Sequence, residues 1–231
     1  MRWISIHKST KDMEAGQLPP ARVMEGMGPL IGEMVQKGVF LGGEGLRPSS
    51  LGVRLKFTNG TRTIEKGPLQ GSNELVAAFS IVKAKSIEDA IEWATRFAPA
   101  GDAEIDVRPV TEYWDLGVMP KPAGETMTRY MIARKADRDS EAGLASATIR
   151  PAADLGELLL TERIQPSANG LRLRFKGGKR TILDGPFTES KELIAGYSIM
   201  RSDSRDELVE WATRFADLLG DIEIDIRPLY D

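Results

Sequence analysis

Two short segments of the chain carry charged and hydroxyl side chains that could hold a small polar ligand through ion pairs and hydrogen bonds. The candidate ligand-binding residues are Glu44, Arg47 and Ser49 in the first half and Asp184, Glu189 and Lys191 in the second. Asp184 could also serve as an acid or base, although an Asp before Gly-Pro commonly forms a turn by bonding its own backbone. Both interpretations of Asp184 stay open at the level of sequence.

The second segment belongs to a stretch that occurs twice. From Glu44 to Ala98 and from Glu162 to Ala216, roughly half of the positions are identical, at a constant offset and without a gap. The copies differ where the second half has Asp184, Phe187, Glu189 and Lys191 and the first half has Lys66, Leu69, Gly71 and Asn73. Either one composite site has survived, built from the loop of one half and the motif of the other, or the differences are neutral drift.

Charged residues also alternate with apolar ones along the predicted strands. The cations are Arg54, Lys56, Arg172 and Arg174, and the anions are Glu104, Asp106, Glu223 and Asp225. Their shared face is either solvated or lines a polar interior. Buried opposite charges are tolerated only where the partners meet, so we expect such an interior to be wet or filled by a ligand.

Composition excludes several kinds of site. The 231 residues include no cysteine and one histidine, which rules out a disulfide framework, a thiol nucleophile and a thiolate metal site. We expect neither a metal nor a cofactor. His7, on the first predicted strand, is interpreted as a surface or pocket-edge residue. The net charge of -3 argues against nucleic acid as a partner, and the apolar run at the N-terminus is too short to span a membrane, so we expect a cytoplasmic protein.

Each half reads as strand, helix, strand, hairpin, strand, helix, strand, although the helix over 20–37 should kink or break at its glycines and Pro29. Gly42–Ser50 reads as a loop, and Asn59-Gly60 and Gly177-Gly178 predict tight hairpin turns. Ser86 and Ser204 are predicted N-caps, with Glu207 completing a capping box.

This order predicts an α+β protein in which each half folds into a ferredoxin-like antiparallel sheet with both helices on one face. Two bare sheet faces should then pack together as an intramolecular dimeric α+β barrel. The predicted domains are residues 1–115 and 128–231, joined by a linker over 116–127. Self-association beyond this internal pseudo-dimer is left open.

At these residues the chain resembles the YCII-related proteins, and more closely their DGPF branch, whose motif is Asp184-Gly185-Pro186-Phe187. Supporting pieces are Gly42-Gly43-Glu44-Gly45-Leu46, Lys191-Glu192-Leu193-Ile194 and Glu210-Trp211-Ala212. The resemblance implies a dimeric α+β barrel, here within one tandemly duplicated chain. Some members are encoded beside alternative sigma factors. Others carry a His–Asp pair proposed as catalytic, which this sequence lacks at both positions.

Three functions therefore stay open. The favoured one is a small-molecule-binding module with a pocket between the two repeats. The second is a cofactor-independent enzyme that uses charged residues of the same pocket for proton transfer. The third is a regulatory or interaction protein linked to an alternative sigma factor. Catalytic residues cannot be named, because an enzyme needs a positioned group with a shifted pKa, and no such constellation is visible.

Overall fold

The computed structural model describes residues 1–71, 75–98, 101–136, 154–187 and 193–230. The helices of this part are α1 (Lys11–Glu14), α2 (Ala21–Gln36), α3 (Ile87–Phe97) and α4 (Arg205–Leu219). The strands are β1 (Arg2–Lys8), β2 (Phe40–Gly45), β3 (Val53–Thr58), β4 (Thr61–Lys66), β5 (Leu75–Ala84), β6 (Ala103–Pro109), β7 (Thr128–Ala136), β8 (Glu157–Arg163), β9 (Leu171–Lys176), β10 (Lys179–Asp184), β11 (Ile194–Arg201) and β12 (Ile222–Pro228). The predicted α+β class is confirmed.

The strands form two six-stranded antiparallel sheets. The first sheet has the order β10-β9-β12-β1-β11-β2, and the second has the order β4-β3-β6-β7-β5-β8. The strands of the two sheets correspond in order: β3–β6 of the second sheet take the places of β9–β12 of the first, and β7 and β8 take the places of β1 and β2. The two sheets are thus built on one plan.

Each sheet contains strands from both halves of the chain, and this corrects the prediction that each half closes a sheet of its own. β1 and β2 of the first half lie in the first sheet, whereas β7 and β8 of the second half lie in the second. β1 runs antiparallel between β11 and β12, and β7 takes the same place between β5 and β6. The two halves of the chain have thus exchanged their first two strands between the sheets.

The described residues divide into two compact units that follow the sheets rather than the predicted domains. One unit holds Met1–Glu44 with 164–187 and 193–230, and the other holds the described residues within Gly45–Arg163. The boundaries at 1–115 and 128–231 stay a prediction about the repeats. The predicted linker over 116–127 contains neither helix nor strand.

Each unit has its own apolar core between helix and sheet. In the first, Trp211 and Leu208 of α4 pack with Leu30 of α2 and Leu173 of β9. In the second, Trp93 and Ala94 of α3 pack with the inward residues of β3, β6 and β7. The two clusters contain fourteen and twelve buried residues. Burial of apolar side chains therefore stabilises the two units to a similar extent.

Local signals in the sequence were mostly read correctly. Asn59 and Gly60 both have positive φ, 50° and 75°, as the predicted hairpin turn requires. Ser86 caps α3 by accepting the amide hydrogen of Asp89, and Ser204 caps α4 by accepting that of Glu207. The capping box is not completed, because the Glu207 carboxylate accepts instead from the hydroxyl of Ser202.

α2 continues through Gly26, Gly28 and Pro29, so the predicted break does not occur there, and the predicted kink stays a prediction. The prediction of a loop over 42–50 was wrong at its start. Gly42–Gly45 continues strand β2 instead of forming a loop. The reason lies at Gly43, where a β-carbon would come within 2.6 Å of the Tyr197 carbonyl oxygen, so glycine allows β2 to approach β11 closely. None of the described helices has the length and apolar character needed to cross a membrane.

Candidate functional site

The alternating charges of the first sheet meet in a buried cluster on the face opposite the helices. Asp225 lies directly across from Arg172 in the pairing of β12 with β9. Its carboxylate accepts from Arg172 Nε at 2.6 Å and Nη2 at 2.9 Å, and Lys8 Nζ lies 2.9 Å away. Glu223 completes the cluster at 3.2 Å from Arg172 Nε. Lys8 and Arg172 thus face two anions in the buried part of the cluster, and Glu223 also accepts from the exposed Arg174 Nε at 2.5 Å.

The second sheet repeats this cluster with equivalent residues. Arg54 donates to Asp106 from Nε at 2.7 Å and from Nη2 at 2.9 Å, and Glu104 lies 3.1 Å from Arg54 Nε. Lys135 reaches both carboxylates, at 2.9 Å and 3.1 Å. The buried opposite charges meet, which is the condition under which their burial is tolerated. The wet or ligand-filled interior is not supported, because the Arg54 and Arg172 side chains are only 3% and 1% exposed.

The electrostatics of these clusters make poor bases of the buried carboxylates. Burial by itself would raise the pKa of Asp225, but Lys8 and Arg172 outweigh that effect, so its pKa lies below the usual value. Asp106 follows the same pattern: burial raises its pKa, and Arg54 with Lys135 brings it below the usual value. A carboxylate held ionised by two cations has little tendency to take up a proton.

The Asp-Gly-Pro-Phe motif covers the first cluster. The Gly185–Pro186 bond is cis, and Phe187 is buried with its ring centroid 4.5 Å from the Arg172 guanidinium carbon, a cation–π contact. Gly185 must be glycine, because a β-carbon there would overlap the backbone oxygen of Ser167. The motif thus has a structural role that its sequence alone did not reveal.

The first half contains the same turn around a predicted site residue. Gly67–Pro68 is also cis, and Leu69 occupies the position of Phe187 and is buried. Ser49 is 1% exposed, and its hydroxyl accepts the amide hydrogen of Leu69 at 3.1 Å. Ser49 therefore braces this turn. The position is repeated by the buried Ser167 in the second half.

The remaining predicted site residues fall in different surroundings. Arg47 is partly exposed, lies 3.8 Å from Asp115, and its carbonyl accepts from Arg108. Glu44 is half-buried on β2. Asp184 ends β10 with an exposed carboxylate that pairs with Arg205, so it is not engaged mainly in its own turn. Glu189 and Lys191 lie outside the described residues.

Asp184 stands at one end of a ladder that joins β10 to α4. Alternate residues of a strand and every fourth residue of a helix are spaced by about 6–7 Å, so the two rows can match in step. The rungs are Asp184 with Arg205, Ile182 beside Val209, and Arg180 with Thr213. In the last rung, Arg180 Nη1 donates to the Thr213 hydroxyl at 2.8 Å.

A surface groove of about 580 Å³ lies along this ladder. Its apolar part is Ile182 and Val209, and Arg180 and Arg205 stand at its two ends. The outer row of α4 adds Asp206, Glu210 and Arg214. The groove thus presents charges of both signs around a small apolar floor, which suits a small molecule with an apolar body and polar ends.

Arg214 is held in place at the rim of the groove. It donates to Glu33 of α2 at 2.5 Å, and its guanidinium lies 4.5 Å from the ring centroid of Trp211. Hydrogen bonds from Arg214 and, second in size, from Lys37 lower the pKa of Glu33 to about 2. This anchoring joins α2 to α4 and limits how far the rim can move.

The equivalent ladder in the first half differs at one rung. Arg62 donates to Thr95 at 2.6 Å, as Arg180 does to Thr213, and also to Glu92 at 3.3 Å. Lys66 and Ile87 take the places of Asp184 and Arg205, so the terminal ion pair is lost. The first half therefore offers matched control positions for every rung.

Sequence reasoning missed the groove. The signal was present as Arg180, Ile182 and Asp184 on one face of a predicted strand, and Arg205, Val209 and Thr213 in one row of a helix. The same spacing is typical of an ordinary solvated face, and only the packing of β10 beside α4 turns it into a concave surface. His7 is not part of the groove; it packs against Phe215, with 5.1 Å between ring centroids.

Comparison with known proteins places the chain in a family. The model of the YCII-related domain matches residues 127–217. An uncharacterised protein of Rhizobium meliloti (strain 1021) is 33% identical over 85 residues, which cover 36% of this chain and 68% of that relative. No solved structure matches the chain significantly. The matched family model and this relative show that the chain belongs to the YCII-related family.

Proposed function

We propose that the protein is a small-molecule-binding module whose ligand occupies the groove between β10 and α4. The observation that carries the proposal is the concave surface between β10 and α4, where an apolar floor is flanked by Arg180 and Arg205. Binding sites are typically concave and combine apolar lining with a few well-placed polar groups. Within the part of the chain that the structure describes, Arg180 donates to the neutral Thr213 hydroxyl, so most of its donors are available for a ligand.

The ligand class follows from the charges of the lining. Arginine binds carboxylate and phosphate groups through paired donors, and Asp206 and Glu210 can accept from amines or hydroxyls. A compact metabolite with an anionic end and an apolar body fits this arrangement. Glu189 and Lys191 stay candidates for the same site because they follow Asp184 closely in sequence. The composite site that combines Glu44, Arg47 and Ser49 with this segment stays a prediction, and Ser49 also braces its own turn.

The alternative of proton-transfer catalysis is less well supported. The buried carboxylates that a general base would require, Asp106 and Asp225, have lowered pKa values and are paired with arginine and lysine. A useful base has a pKa near the working pH and an open path to substrate. No observation specifically favours the regulatory alternative linked to a sigma factor.

We also infer that the chain is a tandem duplication of the DGPF branch that closes as a dimeric α+β barrel of ferredoxin-like repeats. The identical strand order of the sheets supports duplication, as do the matched buried clusters. The Asp-Gly-Pro-Phe residues support the branch. The barrel rests on the family resemblance.

A ligand screen on paired variants tests the proposed function. Small carboxylates, phosphates and zwitterions are screened by thermal shift, and each hit is titrated calorimetrically. Ile182→Asp places a charge on the apolar floor, and Ile64→Asp is the matched control, since these side chains are 40% and 43% exposed on equivalent strands. We expect Ile182→Asp to weaken binding at least tenfold while Ile64→Asp leaves it unchanged. Hits that bind both variants equally would contradict the groove as the site.

A further inference from the structure

β10 ends the first sheet and offers an unpaired edge. It pairs with β9 on one side, through Lys179–Asp184 in an unbroken register, and none of the described strands lies on its other side. All six of its residues are exposed, including Ile182 at 40% and Leu183 at 38%. No proline or bulge interrupts it. An open, regular edge with apolar side chains is a template for pairing with another strand.

We propose that a second copy of this chain pairs with this edge, β10 against β10, in an antiparallel twofold dimer. The charge pattern of the strand favours a second copy as its partner. A twofold axis perpendicular to a sheet does not interchange the two faces of the sheet. Residues that oppose each other across the axis must therefore point to the same face. Opposed residues are therefore an even number of positions apart, and one residue at the centre opposes itself.

One register makes the strand complementary to itself. With Ile182 at the axis, Arg180 of each copy opposes Asp184 of the other, and Thr181 opposes Leu183. The dimer then gains two opposite-charge pairs around an apolar centre, which is the arrangement that stabilises antiparallel strands. With Thr181 at the axis, Arg180 opposes Ile182 and Lys179 opposes Leu183, so no charges are paired. The sequence of β10 selects the first register.

The equivalent edge strand of the second sheet lacks this property. β4 is also fully exposed and ends its sheet. With Ile64 at the axis, Arg62 opposes Lys66, which sets like charges against each other. Because Lys66 takes the place of Asp184, β4 repels its own copy where β10 attracts it. One attractive edge gives a closed dimer, whereas two would give open-ended fibres.

The dimer goes beyond ligand binding and does not depend on it. Arg180, Ile182 and Asp184 lie on the face of β10 turned towards α4, so pairing would set the grooves of the two copies side by side. The carboxylate of Asp184 has two oxygens and can accept from its own Arg205 and from Arg180 of the second copy. An interface of one strand per copy is small, so we expect a weak, concentration-dependent dimer.

Single-cysteine cross-linking tests the register directly, because the chain has no cysteine of its own. Opposed residues of an antiparallel pair have Cα atoms about 4.5–5.5 Å apart, within the range of a disulfide. Ile182→Cys should form a disulfide dimer under mild oxidation, and Ile64→Cys should do so at least tenfold more slowly. Equal rates for the two variants would overturn the proposal.

Sedimentation equilibrium tests the role of charge. Asp184→Lys should raise the dimer dissociation constant at least tenfold, and adding Arg180→Glu should restore it. Arg205→Ala controls for loss of the pair within one chain and should leave dimerisation unchanged. Lys66→Asp should add a second attractive edge and produce species larger than dimers. A wild-type chain that stays monomeric at millimolar concentration, or an Asp184→Lys chain that dimerises as well as wild type, would overturn the proposal.

Discussion

Asp225 and Arg172 form a bidentate ion pair across neighbouring strands, and both side chains are almost completely excluded from solvent. Lys8 joins them from β1, which belongs to the other half of the chain. The ion pair between Lys8 and Asp225 therefore links two strands, β1 and β12, that are distant in sequence. The same geometry recurs for Asp106, Arg54 and Lys135.

Removing one charge from this cluster should be costly. Asp225→Asn leaves Lys8 and Arg172 buried without their shared anion, and we expect the free energy of unfolding to fall by about 3–5 kcal/mol. Asp106→Asn should have an effect of similar size in the second sheet. Arg174→Ala, at a side chain that is 51% exposed, should change stability by about 0.5 kcal/mol or less. Urea unfolding measures all three, and a cost below about 1 kcal/mol for Asp225→Asn would contradict a balanced cluster.

The Asp-Gly-Pro-Phe turn should tolerate no side chain at its glycine. Gly185→Ala forces the β-carbon onto the backbone oxygen of Ser167, and backbone cannot give way cheaply, so we expect a loss of more than about 2 kcal/mol. Gly28→Ala is the control, because its β-carbon meets nothing within 4 Å in the middle of α2. That change should stabilise by about 0.5–1 kcal/mol. Thermal unfolding of both variants checks the contrast, and a neutral Gly185→Ala would contradict the packing of the turn.

How far the sequence could predict the fold depended on whether a feature was local. Alternation in Val53–Phe57, the Asn59-Gly60 turn and the Ser86 cap each depend on a few neighbouring residues, and each was correctly predicted. Gly42–Gly45 was misread because glycine favours loops, whereas here it serves close approach of two strands.

The strand exchange could not be predicted, and the repeat itself is the reason. Lys8 and Lys135 are equivalent residues, and each could pair as well with Asp106 as with Asp225, since both anions sit in the same setting. A sequence whose halves are this similar offers each first strand two closely similar places. The groove could not be predicted for another reason. Ile182 and Val209 are far apart in sequence and line one groove only because β10 packs beside α4.

His7 should make the free energy of unfolding depend on pH between about pH 6.5 and pH 4. Burial, followed in size by the charge of Lys8, lowers the pKa of His7 from 6.5 to about 4. The folded state therefore binds fewer protons than the unfolded state between these values, so stability is complete above pH 6.5 and is lost as pH falls towards 4. The loss should approach about 2–3 kcal/mol.

The control for this prediction is His7→Leu, which keeps an apolar contact with Phe215 and removes the titrating group. Because His7 is the sole histidine, the difference between the two stability profiles isolates its contribution. Chemical denaturation from pH 7 to pH 4 provides the profiles. Parallel profiles would contradict a lowered pKa at His7.

Isoleucine methyl NMR, recorded while a ligand from the screen is titrated, tests most directly whether the groove is the binding site. Ile182 and Ile64 are equivalent residues with nearly equal exposure, so each serves as the other's reference. The account predicts that the Ile182 δ1-methyl signal shifts with ligand concentration while the Ile64 signal stays in place. A ligand that moves the Ile64 signal and leaves the Ile182 signal unchanged would contradict it.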